Sequence, residues 1–358
     1  VSRPTRDAAI DSFDGVADRL RVAELVRRLY RIDALAIALS TVIGIGVFRN
    51  TGIVLSGSGG FVAATALWLV CGALCFGGAL LYGDLSSRVP EAGGPYSYVR
   101  VAFGGRAAFI YGWMNAGVSM PARQASTAAI CGELLSSWIP LGARPWALIV
   151  YLSLAGLTLF GVRTGALAQR AFMIGKLGTV ALVAMMATAL GLGSGPPVAE
   201  QLTMIPTASF ALALAAVWYA YLGWQDVVLL AEELHQPRRD LPVVLGGTVL
   251  LTMVLFVTLH ASVYWGLGGG PEAYGKFPAL AVADHTLGQF GDNLLRALMV
   301  ASLIGVTAGG LMVRPRIAMA LSRDGLGPPV LTRVNRGGTP YGAMIFQVAI
   351  ASGLIATG

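Results

Sequence analysis

Apolar stretches of about 18–25 residues recur along nearly the whole chain, and this repetition limits the fold more than any other feature. Each is long enough for an α-helix to cross a hydrocarbon core about 30 Å thick. The 358 residues are 56% hydrophobic and 12% charged, with a mean hydropathy of +0.70. A water-soluble domain of this composition lacks the polar surface to cover its own core, so the bilayer is the main solvent. The fold class expected is an all-α membrane protein.

Length and charge gaps give about nine segments. They run Ile32–Ser56, Gly60–Tyr82, Ala107–Ile139, Pro145–Val162, Gln169–Leu192, Ser209–Glu232, Leu241–Leu267 and Asn293–Leu321, with a ninth from Tyr341. Residues 1–31 read as a polar tail, and 32–358 as one polytopic domain. The tail carries seven arginines and five acids, and Leu20, Leu25 and Leu29 predict a short surface helix over Asp18–Arg28. The first apolar run starts only near Ile32, so no cleaved signal peptide is expected. The chain stops at Gly358 inside an apolar run, and further spans are expected beyond it.

With the tail in the cytoplasm, 19 of the 25 lysines and arginines fall on that side. They include Arg88, Arg100 and Arg106, Arg163 and Arg170, Arg238 and Arg239, and Arg314, Arg316, Arg323, Arg333 and Arg336. The opposite side holds Arg144, Lys276 and, at a boundary, Arg296. This bias follows the positive-inside rule and accounts for the net charge of +7 and the pI near 9.6. No basic-aromatic module accompanies it, so nucleic-acid binding is not expected. The reading is a multi-pass protein of a bacterial inner or plasma membrane, in contact with lipid, with its N-terminus cytoplasmic. Cys71, Cys75 and Cys131 lie inside apolar runs as small packing residues. His235, His260 and His285 are isolated from them and from one another, so no metal and no cofactor is expected.

Two spans carry signs of a break. The first reads Ser40-Thr41-Val42-Ile43-Gly44-Ile45-Gly46-Val47-Phe48. Glycine costs about 1 kcal/mol relative to alanine inside a helix, and two placed close together invite unwinding. Unwound backbone at membrane depth must line a cavity or be buried in protein. A half-helix N-terminus there offers free N–H groups and a positive dipole end, which suit a carboxylate. Close helix packing by small residues is the other reading. The sixth span reads Trp218-Tyr219-Ala220-Tyr221-Leu222-Gly223-Trp224-Gln225-Asp226, with one glycine among aromatic rings and a polar pair. Either an aromatic packing face or a second break explains it. Two breaks five segments apart suggest an inverted repeat with a site between its halves.

Together these residues resemble the amino acid–polyamine–organocation superfamily of transporters, in look nearest its L-type amino acid transporter branch. Ile43–Phe48 is similar to that family's GSGIF break. Tyr82-Gly83-Asp84-Leu85 and Pro90-Glu91-Ala92-Gly93-Gly94-Pro95-Tyr96-Ser97-Tyr98 look like its following loop. Tyr111-Gly112-Trp113, Gly175-Lys176-Leu177, Tyr219–Trp224, Glu232-Glu233 and Arg323-Asp324-Gly325 follow in the family's order, over about Ile32 to Pro340.

The resemblance implies two inverted five-helix repeats, broken first and sixth helices, two extra helices and alternating access. It implies a substrate site at Val42, Ile43, Gly44, Ile45, Gly46, Tyr219, Ala220, Leu222 and Gly223. The amides near Gly44, Ile45 and Gly46 would hold a carboxylate. The carbonyls of Val42, Ile43 and Tyr219 would hold an amino group. Tyr219 and Trp224 would gate the site. Ile45 stands where the family often has serine, and Leu222 replaces a glycine, which predicts a smaller side-chain pocket. The last span of the second repeat and the extra helices are missing from this sequence.

Lys176 lies roughly 12 Å into span five, at about 1.5 Å per residue. An intramembrane charge is a functional hypothesis by default. In relatives that work without sodium, a lysine here stands in for the metal cation; the alternative is that it snorkels to the interface. Asp226 reads equally as a coupling carboxylate or as an arginine's partner. Arg123 reads as a clamp on carbonyls between helices, or as a group reaching an anionic substrate. Glu232, Glu233, Arg238 and Arg239, with Arg316 and Arg323, read as an inner-gate latch or as a solvated loop.

The function expected is secondary transport of a small or medium neutral amino acid, independent of sodium, by exchange, uniport or proton coupling. Polyamines or other amines are the runner-up substrates, and a non-transporting sensor is the alternative class. No nucleophile–base pair or metal cluster points to an enzyme, and no phosphate-binding loop points to a primary pump. The loop between spans three and four has no cysteine, so no disulfide-linked partner subunit is expected.

Overall fold

The computed structural model describes residues 25–189, 207–267 and 277–357. The first expected span is two helices, α1 (Arg31–Val42) and α2 (Ile45–Gly57), and the second is α3 (Phe61–Arg88). The third combines α4 (Pro95–Met114), a π-helical turn at Asn115–Ser119 and α5 (Met120–Ser136). α6 (Ala143–Thr158) and α7 (Val162–Ala189) come next. α8 (Thr207–Tyr221) leads through two turn residues into a 3-10 helix, Trp224–Glu233. α9 (Pro237–Gly266), α10 (Pro278–Val313), α11 (Pro315–Arg323) and α12 (Tyr341–Thr357) complete the described chain. Five of its helical runs are long and apolar enough to cross a bilayer: α3, α7, Thr207–Glu233, α9 and Pro278–Arg323.

The sequence-derived limits shift in three places. α7 starts at Val162 rather than Gln169. α4 and α10 begin earlier than their expected spans, each with a short leading helix that bends at a glycine, Gly104 (φ +81°) or Gly288 (φ +59°). Only glycine takes such backbone without a Cβ penalty, so these kinks redirect the chain cheaply. The surface helix expected over Asp18–Arg28 lies mostly outside the described residues, and its described end, Leu25–Arg28, is not helical. There Arg28 N and Leu29 N both donate to Glu233 O at 2.9 Å, and His235 N donates to Leu29 O at 3.1 Å. This pairing buries Leu25 and Leu29 against the bundle, which an amphipathic helix on the surface would not do.

Burial is inside out relative to a water-soluble protein. Leu74, Leu81, Ile110, Phe160, Ile174 and Leu212 are each at least 60% exposed. In water such a surface would drive aggregation; in a bilayer it is the lipid face. The interior between α3, α8 and α9 is closed by rings. Trp68 and Tyr221 each meet Phe256, at centroid distances of 5.4 and 5.2 Å, and Tyr221 Oη donates to Trp68 O at 2.9 Å. Small residues make this approach possible: a Cβ on Gly72 would lie 2.7 Å from Tyr221 Oη. Cys71, Cys75 and Cys131 are buried free thiols in the same kind of contact.

Candidate functional site between two broken helices

The first break falls at Ile43 and Gly44. Ile43 N still bonds to Leu39 O (2.9 Å), Gly44 N turns back onto Val42 O (2.8 Å), and α2 starts again at Ile45 with Gly44 as its extended N-cap. The opening amides of α2 have no partner within that helix, and no side chain caps them. Gly46 serves packing as well. A Cβ there would sit 3.2 Å from Ala220 Cα, and Asn50 Nδ2 donates to Ala216 O at 2.8 Å, so α2 closes tightly on α8.

The second break falls at Leu222 and Gly223. Gly223 has φ +126°, and a Cβ on it would lie 2.8 Å from Thr41 O, the backbone just before the first break. Gly223 is therefore required both by conformation and by space, and it holds the two breaks together. Gly223→Ala is expected to cost about 1–2 kcal/mol from the left-handed backbone alone, with the clash in addition. The measurement is the melting temperature of the purified protein; an unchanged value would show that this junction relaxes freely.

A cavity of about 50 Å³ lies between the breaks. A water needs roughly 10–15 Å³ on this measure, so the space holds about three to five waters, or one small solute. Val42, Gly44, Gly46, Tyr219, Ala220 and Leu222 line it, as does Thr41. Thr127 and Ile130 of α5, and Leu303 and Val306 of α10, complete its apolar walls. No local pattern marks these four, because they are ordinary span residues brought in only by the packing of α5 and α10. Ile43 stands behind the cavity, fully buried, its carbonyl accepting from Ser302 Oγ at 3.2 Å. Gly223 is likewise behind it.

Trp224 does not border this cavity. Its ring packs edge-on to Tyr82 at 5.3 Å and lies against Gly78 of α3. Of the two expected aromatic gates, only Tyr219 borders the space.

Lys176 is buried, and its Nζ donates to Ser40 O at 2.5 Å, while Ser40 Oγ donates to Gln169 O at 3.2 Å. It does not snorkel. Its Nζ meets a carbonyl in the last turn of α1, where the helix is about to unwind.

The charges nearest the cavity form a trio. Asp226, in the first turn of the 3-10 helix, accepts from Arg314 Nε at 3.0 Å and pairs with Arg123 Nη1 at 3.5 Å. Arg314 and Asp226 are almost completely buried. Arg123 is thus paired with a carboxylate, in place of the carbonyl clamp expected from sequence. Arg314, expected among the cytoplasmic charges around the end of span eight, sits at the junction of α10 and α11 and borders the cavity.

The inner-gate cluster divides. Arg316 pairs with Glu233, both buried, and Arg323 Nη1 donates to Glu232 Oε2 at 2.8 Å. Glu232 Oε1 also accepts from Ala92 N at 3.0 Å, and Arg100 bridges Glu91 (2.7 Å) and Asp324 (2.5 Å). Arg31–Asp240 and Arg170–Asp33, both 2.7 Å, lie on the same face. Arg238 and Arg239 are exposed and take no part in the Glu232 and Glu233 pairs.

Two broken spans meeting at a small cavity, inside a bundle with an apolar outer face, define a polytopic membrane transporter rather than an enzyme. Residues 29–357 match the amino acid permease family, and the chain belongs to that family. It is 26% identical to the serine/threonine exchanger SteT of Bacillus subtilis (strain 168) over 334 residues, covering 91% of this chain and 76% of that protein. It is 29% identical to human large neutral amino acids transporter small subunit 2 over 348 residues, covering 90% of this chain but 63% of that protein. Human b(0,+)-type amino acid transporter 1 is 25% identical over 344 residues, with 93% and 70% covered. Among solved structures, MhsT in complex with L-phenylalanine has a similar fold, with a TM-score of 0.63 at 15% identity over 93% of this chain and 79% of that one.

Proposed function

We propose that this chain forms the transport core of a sodium-independent permease for a small α-amino acid, working by alternating access. The observation that carries the reading is the meeting of both helix breaks at one cavity, with the uncapped N-terminus of α2 beside it. In this reading the amides at Ile45 and Gly46 take the α-carboxylate, since Gly44 N is already turned onto Val42 O. The carbonyls of Val42 and Tyr219 take the ammonium, and Tyr219 closes over the substrate, while the Ile43 carbonyl, turned to Ser302 behind the cavity, is left out. Leu222 and the small cavity limit the side chain.

Lys176 supplies a fixed positive charge beside Ser40 O, which removes the need for sodium. The two guanidinium groups at the cavity argue against polyamines, which would be repelled. The two halves work as inverted repeats, with the N-terminus in the cytoplasm of a plasma membrane. All three cysteines of this sequence are buried, which supports action without a disulfide-linked partner.

The test is counterflow of radiolabelled amino acids by the full-length protein in proteoliposomes, with and without sodium. Flux of an amino acid that persists without sodium is expected. Strict sodium dependence would remove the lysine role. Binding without flux would favour a sensor.

A further inference from the structure

We propose that this site selects an α-amino acid whose side chain is itself anionic, a dicarboxylate of about aspartate size, through Arg123 and Arg314. The proposal rests on the amino acid reading above and names the side-chain class that reading leaves open. It replaces the neutral class expected from sequence, because Arg314 as well as Arg123 borders the cavity.

The argument is one of charge balance. Among the described residues, two arginines border the cavity and no aspartate or glutamate does. Asp226 is the carboxylate that holds them, and it stands behind them rather than at the cavity. One negative charge against two positive ones leaves an excess of one positive charge. Its setting is poor in water: Arg314 is 1% exposed, Asp226 2% and Arg123 21%. An uncompensated charge in such a place is costly, and inside a membrane it marks a ligand or ion path.

A neutral amino acid brings one carboxylate and one ammonium, so it adds no net charge and leaves the excess in place. A second carboxylate cancels it. The cavity also offers two kinds of anion partner, backbone amides and guanidinium groups. The opening turn of α2, at Gly44 and Gly46, and the two arginines all border it. A molecule with two carboxylates can use both, and the planar guanidinium suits a carboxylate in paired hydrogen bonds.

The two arginines divide the work. Arg314 holds Asp226 at 3.0 Å, whereas Arg123 stands 3.5 Å away and is less buried. Arg123 is therefore the group free to turn from Asp226 to the substrate, and Arg314 supplies the fixed part of the field.

Aspartate and asparagine have nearly the same shape and differ in charge, so they isolate the claim. The full-length protein in proteoliposomes is expected to show counterflow of L-aspartate at least about tenfold above L-asparagine. Arg123→Gln is expected to reduce that ratio to near one, because Arg314 and Asp226 then balance each other. Arg123→Lys, which keeps the charge, is expected to retain most of the preference.

Equal or better counterflow of asparagine, alanine or serine by the wild type would overturn the anionic class while leaving the amino acid reading in place. Counterflow of no amino acid would overturn both. A full preference for aspartate in Arg123→Gln would overturn the role of Arg123. If that variant does not fold, the wild-type ratio alone decides the substrate class.

Discussion

Replacing Asp226 with alanine is expected to destabilise the folded protein by about 3–5 kcal/mol, the cost of removing one partner of a buried ion pair. The size follows from what remains: Arg314, almost without exposure, loses its carboxylate, and Arg123 loses the same partner. The measurement is the melting temperature in detergent, with the yield of monodisperse protein. The double variant Asp226→Ala/Arg314→Met is expected to recover much of the loss, since it removes the stranded charge along with its partner. Equal melting temperatures for the wild type and Asp226→Ala would show that this trio is not a paired unit.

The second large effect is expected at Lys176. Lys176→Met keeps a long, flexible, apolar stem and removes the ammonium that meets Ser40 O. A hydrogen bond from a charged donor is worth about 1.5–3 kcal/mol, so flux is expected to fall roughly 10- to 150-fold. Folding should be largely preserved, because the buried volume is nearly unchanged. Counterflow in proteoliposomes checks the loss. Partial recovery on adding sodium would mark the ammonium as a substitute for a cation, and wild-type flux in the variant would remove Lys176 from the transport cycle.

The site was legible in the sequence where unwinding leaves a mark on local composition. Gly44 and Gly46 lie among β-branched residues, and Gly223 lies among rings; both runs coincide with real breaks in the backbone. The trio was less legible. Arg314 stands two positions from Arg316 at the end of a span, so the positive-inside pattern accounts for both alike. Only tertiary packing separates them, sending Arg316 to Glu233 and Arg314 to Asp226. The place of Trp224 away from the cavity is hard to read from sequence for a similar reason: which way a ring points from a turn depends on the backbone at Gly223, where φ is +126°. The leading helices of α4 and α10 were missed because their bends at Gly104 and Gly288 come before the apolar runs that signal a span.

The winding of Trp224–Glu233 has a mechanical consequence. Ten residues wound as a 3-10 helix are an unusually long run of that form. At about 2.0 Å per residue against 1.5 Å for an α-helix, the segment is roughly 5 Å longer than the same residues would be as α. Its two ends are not equivalent. One is tied to the arginine trio through Asp226, and the other to Arg316 and Arg323 through Glu233 and Glu232. Rewinding to α would draw those anchors together by about that length. A change of winding in this one segment would therefore couple the distance between the arginine trio and the Glu232 and Glu233 pairs to the cavity.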